Sequence, residues 1–217
     1  MNIAEYDTLV FDCDGVVLNS NKIKTEVFYN VALPYGKKAA ESLVEYHVAN
    51  GGVSRYKKFE YFIRQVLKRP IEKPLFNELL NYFSEGVKEG LLTCEIASDL
   101  DALREKTKNT NWLIVSGGDQ VELREVFSTR GIAKYFDGGI FGSPHDKSEI
   151  LSREQLNSNI SQRALFLGDS LYDYQAATTA GVEFVFLSDW TEFDGWEKWL
   201  KRKKIRTLGN IGELCDS

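Results

Sequence analysis

The sequence predicts an α/β protein: a doubly wound parallel sheet whose first strand is followed by an inserted all-helical domain. Three observations carry that prediction. Short continuous apolar runs recur along the chain, stretches of helical spacing separate them from residue 92 onward, and residues 20–91 hold helical patterns alone. The expected division is a catalytic core made of residues 1–19 and 92–217, with a helical cap at 20–91.

The first run, Thr8-Leu9-Val10-Phe11, is apolar without alternation, as expected of a strand buried on both faces. Similar runs follow at 112–115, 164–167 and Glu183–Leu187, with a weaker one at 139–141. Between them, 119–129 sets Val121, Leu123 and Val126 among charges, and Leu171–Ala180 follows a Gly-Asp-Ser turn. Strands alternating with helices make βαβ units, whose right-handed crossovers lead to a doubly wound sheet.

Within 20–91 four apolar stripes have helical spacing: Ile23, Val27 and Val31; Ala40, Leu43, Val44 and His47; Phe59, Phe62, Ile63, Val66 and Leu67; Phe76, Leu79, Leu80, Phe83 and Val87. Pro34, Gly51-Gly52, Pro70 and Pro74 break the pattern between them.

Composition narrows the function classes. Hydrophobic residues make up 43% and charged residues 27%, which suits a globular domain, and the net charge of -5 gives no reason to expect a nucleic-acid partner. No run approaches a membrane span, and the acidic N-terminus lacks the bases and apolar run of a signal peptide. Three cysteines without metal-ligand spacing point to a reducing, cytoplasmic setting. Oligomeric state is not legible.

Ligands of parallel sheets bind outside the carboxyl ends of the strands, so the polar residues there are the candidates. The strand ends carry Asp12-Cys13-Asp14-Gly15, Ser116-Gly117-Gly118, a loop leading to Lys147, and Gly168-Asp169-Ser170 with Asp173 one turn later. Taken singly each has a plain reading: Asp-x-Asp-Gly and Ser-Gly-Gly as turns, Gly-Asp-Ser as a helix cap, Lys147 as a solvated charge. Their joint placement at successive strand ends overturns those readings. Clustered carboxylates favour a hard cation such as Mg²⁺, while Lys147, the Ser116 hydroxyl and the Gly117 backbone suit phosphate oxygens. A carboxylate can act as a covalent nucleophile, with a second carboxyl as its acid and base.

The four motifs, Asp12–Val17 in numbers 12–17, then 114–118, Lys147 and 168–173, resemble those of the haloacid dehalogenase-like hydrolase superfamily. With a helical cap after the first strand, the chain is most similar to the subgroup of phosphoglycolate phosphatases and beta-phosphoglucomutases. The resemblance implies a Rossmann-like core and a Mg²⁺-dependent phosphatase working through an aspartyl-phosphate on a small phosphorylated metabolite. It assigns Asp12 as nucleophile and metal ligand, and Asp14 as general acid–base and metal ligand through its carbonyl. Ser116 and Lys147 become the phosphate-binding pair, and Asp169 and Asp173 the remaining metal ligands, Asp173 directly or through water. Asn19-Ser20 stands where many capped relatives have Asp-Ser.

The resemblance also implies that the segment 51–58 reaches the substrate, with Arg55 and Lys58 as candidate contacts and Lys24 and Asn50 as weaker ones. Lys57, Arg64 and Lys68 are expected on a solvated helix face, His47 in packing, His145 on the surface, and Trp190, Trp196 and Trp199 in a tail packed on the core. The competing readings are a phosphomutase and a catalytically silent binding protein of the same fold. Dehalogenation is disfavoured because Asp14 is present, whereas dehalogenase relatives lack it.

Overall fold

The structure, a computed structural model, describes residues 2–215. A six-stranded, all-parallel sheet has the order β3-β2-β1-β4-β5-β6. The strands are β1 Thr8–Phe11, β2 Asn111–Asp119, β3 Gly139–Ser143, β4 Ala164–Gly168, β5 Glu183–Leu187 and β6 Arg206–Leu208. β1 lies centrally, with Phe11 in register with Ile114 on one side and Leu167 on the other. The strand order reverses beside β1, so the crevice at its carboxyl end is the switch point of the sheet.

The unbroken apolar run of β1 follows from this position. Leu9 and Phe11 face one core, which includes Leu103, Leu123 and Phe127, and Val10 faces a second built from Ile150, Leu151, Ala176 and Ala177. A strand covered on both faces has no use for polar alternation.

The core helices are α5 Leu100–Lys106, α6 Gln120–Thr129, α7 Lys147–Leu156, α8 Leu171–Ala180 and α9 Trp196–Lys203. Their starts are locally encoded. Asp119 caps α6 by accepting from the backbone N–H groups of Val121 and Glu122. α7 and α8 begin with reciprocal capping boxes, Asp146 with Glu149 and Ser170 with Asp173.

Four helices fill the chain between β1 and α5: α1 Asn21–Ala32, α2 Lys37–Ala49, α3 Arg55–Tyr61, continued by a π-helical turn Phe62–Val66, and α4 Lys73–Thr93. Phe28, Phe59 and Phe83 meet at their centre, with ring centroids 4.3 Å apart for Phe28–Phe83 and 5.4 Å for Phe28–Phe59.

Several expectations are refined. β2 runs through Ser116–Gly118 rather than ending before it, and its register against β3 shifts between Val115 and Asp119. That irregularity leaves the Ser-Gly-Gly segment bulged at the sheet edge, a common way to aim a site. Val121, expected among the apolar residues of α6, is 75% exposed because it falls on the outer side of the helix. The α1 stripe is also rotated: Lys24, Phe28, Val31 and Ala32 are buried, and Ile23 and Val27 only half-buried. β6 and α5 gave no clear sequence signal, because both are short and β6 is an edge strand of mixed character. The tail packs as expected, Trp196 stacking on Phe186 at 5.6 Å and Trp199 meeting Tyr174 edge-on at 5.1 Å. No helix among the described residues is long and apolar enough to cross a membrane.

Candidate active site

Asp12 follows β1 directly and extends its ladder, donating its backbone N–H to Leu167 O at 2.9 Å. Only 2% of it is exposed. Its Oδ1 accepts from Cys13 N at 2.7 Å and from Lys147 Nζ at 2.8 Å. Its Oδ2 has no hydrogen-bond partner among the described residues. Lys147, the first residue of α7, is fully buried and also donates to Asp173 Oδ1. The other oxygen of Asp173 accepts from Ser170 Oγ at 2.6 Å and Ser170 N at 3.1 Å. The box that starts α8 therefore also fixes this carboxylate.

Asp169, just past β4, completes the group. Carboxylate oxygens of Asp12, Asp169 and Asp173 lie within 4.8 Å of one another, and all three residues are buried. Burial pushes the Asp12 carboxyl up from its ordinary value, against the pull of Lys147 and with the push of Asp173. Asp169 is raised as well, first by burial and then by Asp173 and Asp12. Lys147 moves the other way: burial opposes its charge, but Asp12 and Asp173 hold it above the usual lysine range. One ammonium among three buried carboxylates leaves an excess of negative charge. An oxygen-only set of this kind is the donor chemistry of a hard divalent cation, so the residues present fit Mg²⁺.

Asp14 is kept out of that cluster. Its Oδ1 accepts from Ser20 Oγ at 2.5 Å and its Oδ2 from Lys24 Nζ at 2.6 Å. Burial acts to raise its pKa, but the charge and hydrogen bond of Lys24, with Ser20, outweigh it and leave the carboxyl below its ordinary value. Ser20 thus serves Asp14, and its neighbour Asn19 links the chain segments before α1 and after α4 by donating to Glu95 at 3.3 Å. Lys24, a weak candidate from sequence, becomes a central residue. The missed signal was its spacing: Lys24, Phe28 and Val31 repeat at i, i+4 and i+7, which places a lysine on the buried stripe. Asn21, not singled out beforehand, donates to Asp169 Oδ2 at 2.7 Å and Trp190 O at 2.9 Å.

A cavity of about 190 Å³ opens on these groups. Asp12, Asp14, Asp169, Gly117, Arg55 and Lys58 all line it, as do Lys24, His47 and Asn50. Ser116, Lys147 and Asp173 are fully buried and lie outside its lining; the Ser116 hydroxyl accepts from Gly118 N at 3.0 Å. Arg55 is already engaged, donating to Glu122 at 3.1 Å and Ser84 at 3.0 Å, with Asp119 at 3.8 Å. Lys57, on the expected exposed face, reaches Asp146 at 3.3 Å. Lys58 is 3% exposed and bonded to His47 Nδ1 at 2.7 Å. His47 is packed against Phe28, as expected, but it also faces the cavity and supports Lys58. His145 is exposed.

The loop at 51–53 lies so close to the β2 end that Gly117 has no room for a side chain. A Cβ there would stand 2.3 Å from Gly52 O. Because the obstacle is backbone, Gly117→Ala is expected to displace this loop and to cost about 1–3 kcal/mol of stability, measurable as a lowered thermal midpoint. A midpoint unchanged from the parent chain would show that the loop yields freely.

The model of the haloacid dehalogenase-like hydrolases matches residues 6–181. Among curated proteins, the chain is 26% identical to an enolase-phosphatase E1 of Fusarium vanettenii, across 85% of this chain and 87% of the relative. It is 26% identical to a phosphorylated carbohydrates phosphatase of Thermotoga maritima, across 83% of this chain and 84% of the relative. Among solved structures, a predicted phosphatase from Clostridium acetobutylicum shares the fold with a TM-score of 0.74 at 17% identity, covering 97% of each chain.

Proposed function

Because the chain belongs to the haloacid dehalogenase-like hydrolases, we propose that it is a phosphatase that hydrolyses a small phosphomonoester through a phosphorylated Asp12. The observation that carries this reading is the state of Asp12 itself. One of its oxygens is anchored by Lys147 and Cys13 N–H, the other has no partner among the described residues, and the residue lines the cavity. The names of the curated relatives, both phosphatases, support the same activity.

In the first step the Asp12 Oδ2 attacks phosphorus, the bond to the ester oxygen breaks, and that oxygen takes a proton from the Asp14 carboxyl. In the second, Asp14 accepts a proton from water as the water oxygen attacks phosphorus, and the bond to Asp12 breaks to release phosphate. At rest Asp14 is an ionised carboxylate held by Lys24 and Ser20. Arrival of a phosphate dianion beside it raises its pKa and loads the proton that the first step needs. Lys147 steadies Asp12, and Gly117 offers backbone to phosphate oxygens at the β2 end, where Ser116 anchors the turn by accepting from Gly118 N. Asp12, Asp169, Asp173 and the Asp14 carbonyl would hold Mg²⁺, which when bound offsets phosphate charge. The helical segment 20–91 acts as the cap over the cavity, joined to the core 1–19 and 92–217 through Asn21, Arg55 and Lys57. Lys58 is the favoured cap contact to substrate, since the Arg55 charge is already matched by Glu122 and Asp119. The proposed compartment is the cytoplasm, where thiols such as Cys13 and Cys94 stay reduced.

The direct test is release of inorganic phosphate from p-nitrophenyl phosphate and alkyl phosphates in Mg²⁺ buffer. Turnover without a bisphosphate activator is expected, and dependence on such an activator would make the chain a mutase. Asp14→Asn separates the proton roles. Ethyl phosphate hydrolysis is expected to fall by about 10²–10⁴-fold, while p-nitrophenyl phosphate, whose leaving group needs no proton, gives a stoichiometric burst of p-nitrophenol and then slow turnover. Equal losses on the two esters with no burst would remove Asp14 from the acid role.

The acidic cluster makes a second prediction. The folded-state pKa of Asp169 is raised, so the folded chain holds a proton there that the unfolded chain releases near pH ~4. That contribution to stability is present below about pH 4 and is lost as pH rises through the folded-state pKa. In chelator, the thermal midpoint of the parent relative to Asp169→Asn is therefore expected to fall on going from about pH 5 to about pH 8, and Mg²⁺ to raise the parent's midpoint more at the higher pH. A Mg²⁺ effect of the same size at both would count against the cluster as the binding site.

A further inference from the structure

The lysines and arginine lining the cavity are paired with carboxylates, with one exception among the described residues. Lys24 is paired with Asp14, and Arg55 with Glu122 and Asp119. Glu192 accepts from Thr25 at the rim. Lys58 has no carboxylate partner; its hydrogen bond goes to the ring of His47, and the Phe28 ring lies 5.5 Å from its Nζ.

A buried ammonium whose direct contacts are a neutral imidazole and an aromatic face, with Asp14 and Asp12 acting on it only from beyond ion-pair distance, is an expensive arrangement. Burial, followed by the charge of Lys24, pushes the Lys58 ammonium down to about 7, while His47 is held neutral by burial and by the same two lysines. A lysine serving only as packing would turn its head to solvent or find an acid, and Lys58 does neither. It lines the same cavity as Asp12, on the wall contributed by the helical segment.

We infer that Lys58 is the seat of a second anionic group on the substrate, so that the substrate is a small phosphomonoester also bearing a carboxylate or a second phosphate. This rests on phosphomonoester hydrolysis at Asp12. The cavity is small, so the second anion belongs to the molecule whose phosphate meets Asp12 rather than to a separate ligand. His47 is a positioning residue here: its Nδ1 accepts from Lys58 and its ring is fixed against Phe28 at 4.5 Å.

Two matched pairs of esters test this in Mg²⁺ buffer: phosphoglycolate against ethyl phosphate, and propanediol bisphosphate against propyl phosphate. The readout is the ratio of kcat/KM within each pair, for the parent chain and for Lys58→Met, so that a general loss of activity in the variant cancels. The parent is expected to favour the charged member of at least one pair by about tenfold or more, and Lys58→Met to bring that ratio close to unity. Preference in the first pair alone identifies a carboxylate, and in the second alone a phosphate. A parent chain that hydrolyses ethyl phosphate yet shows no preference in either pair overturns the inference and leaves the hydrolase reading standing. So does a preference that survives intact in Lys58→Met. If no ester releases phosphate from the parent chain, the hydrolase reading fails and the inference with it. Should Lys58→Met unfold, as read by its thermal midpoint, the parent ratios decide the question alone.

Discussion

Asp12→Asn is expected to abolish phosphate release, by at least about a thousandfold, in a chain that still folds. The amide oxygen can replace Oδ1 as acceptor for Cys13 N–H and Lys147, so the local geometry has its partners. What is lost is the second oxygen, since an amide nitrogen does not attack phosphorus. Stability should not suffer. The cluster loses one of three crowded carboxylates, and Lys147 keeps its contact with Asp173. In chelator the thermal midpoint is therefore expected to equal or exceed that of the parent. Phosphate release is measured on p-nitrophenyl phosphate in Mg²⁺ buffer, and the variant is expected to give no burst of p-nitrophenol either. Full turnover by this variant would sink the assignment of Asp12 as nucleophile.

Lys147→Met has the largest expected effect on stability. The substitution keeps an unbranched apolar stem and removes the only cation that contacts Asp12 and Asp173 among the described residues. Breaking a buried pair by deleting one partner leaves the other charge uncompensated, at a cost of about 3–5 kcal/mol. Here two carboxylates are stranded, and a third, Asp169, stands beside them. Without Lys147 the pull that opposes burial at Asp12 is gone, so Asp12 titrates still higher in the folded chain than in the unfolded one. The deficit is therefore smallest at acidic pH and grows as pH rises. Mg²⁺ should restore part of the stability, because it supplies positive charge to the same oxygens, but not the turnover. Chemical denaturation with and without Mg²⁺ measures the first effect and phosphate release the second. A variant as stable as the parent at neutral pH in chelator would mean that the cluster is hydrated and the carboxylates already neutralised by other means.

How much of this was legible beforehand depended on whether the physical cause was local. The β1 run of Thr8-Leu9-Val10-Phe11 announced a strand buried on both faces, because covering both faces removes any polar position. The starts of α6, α7 and α8 were written in side chains that bond to backbone one turn away. In α1 two adjacent stripes have helical spacing, Ile23, Val27 and Val31 against Lys24, Phe28 and Val31, and the contact of Lys24 with Asp14 goes with the second facing inward. The extension of β2 through Ser116–Gly118 was hidden too, since a glycine pair looks like a turn until a neighbouring strand pairs beyond it.

By itself, the sequence determined the doubly wound sheet, the helical segment after its first strand, and the strand-end residues Asp12, Asp14, Lys147, Asp169 and Asp173. These rest on periodicity and on the rule that parallel sheets present their ligands at carboxyl ends. Only the tertiary structure decided how the charges are matched. It paired Lys24 with Asp14, engaged Arg55 with Glu122, and left Lys58 with a neutral histidine. Pairing of charges across the cavity depends on distances between residues from 10 to 67 positions apart in the chain, which no local pattern encodes.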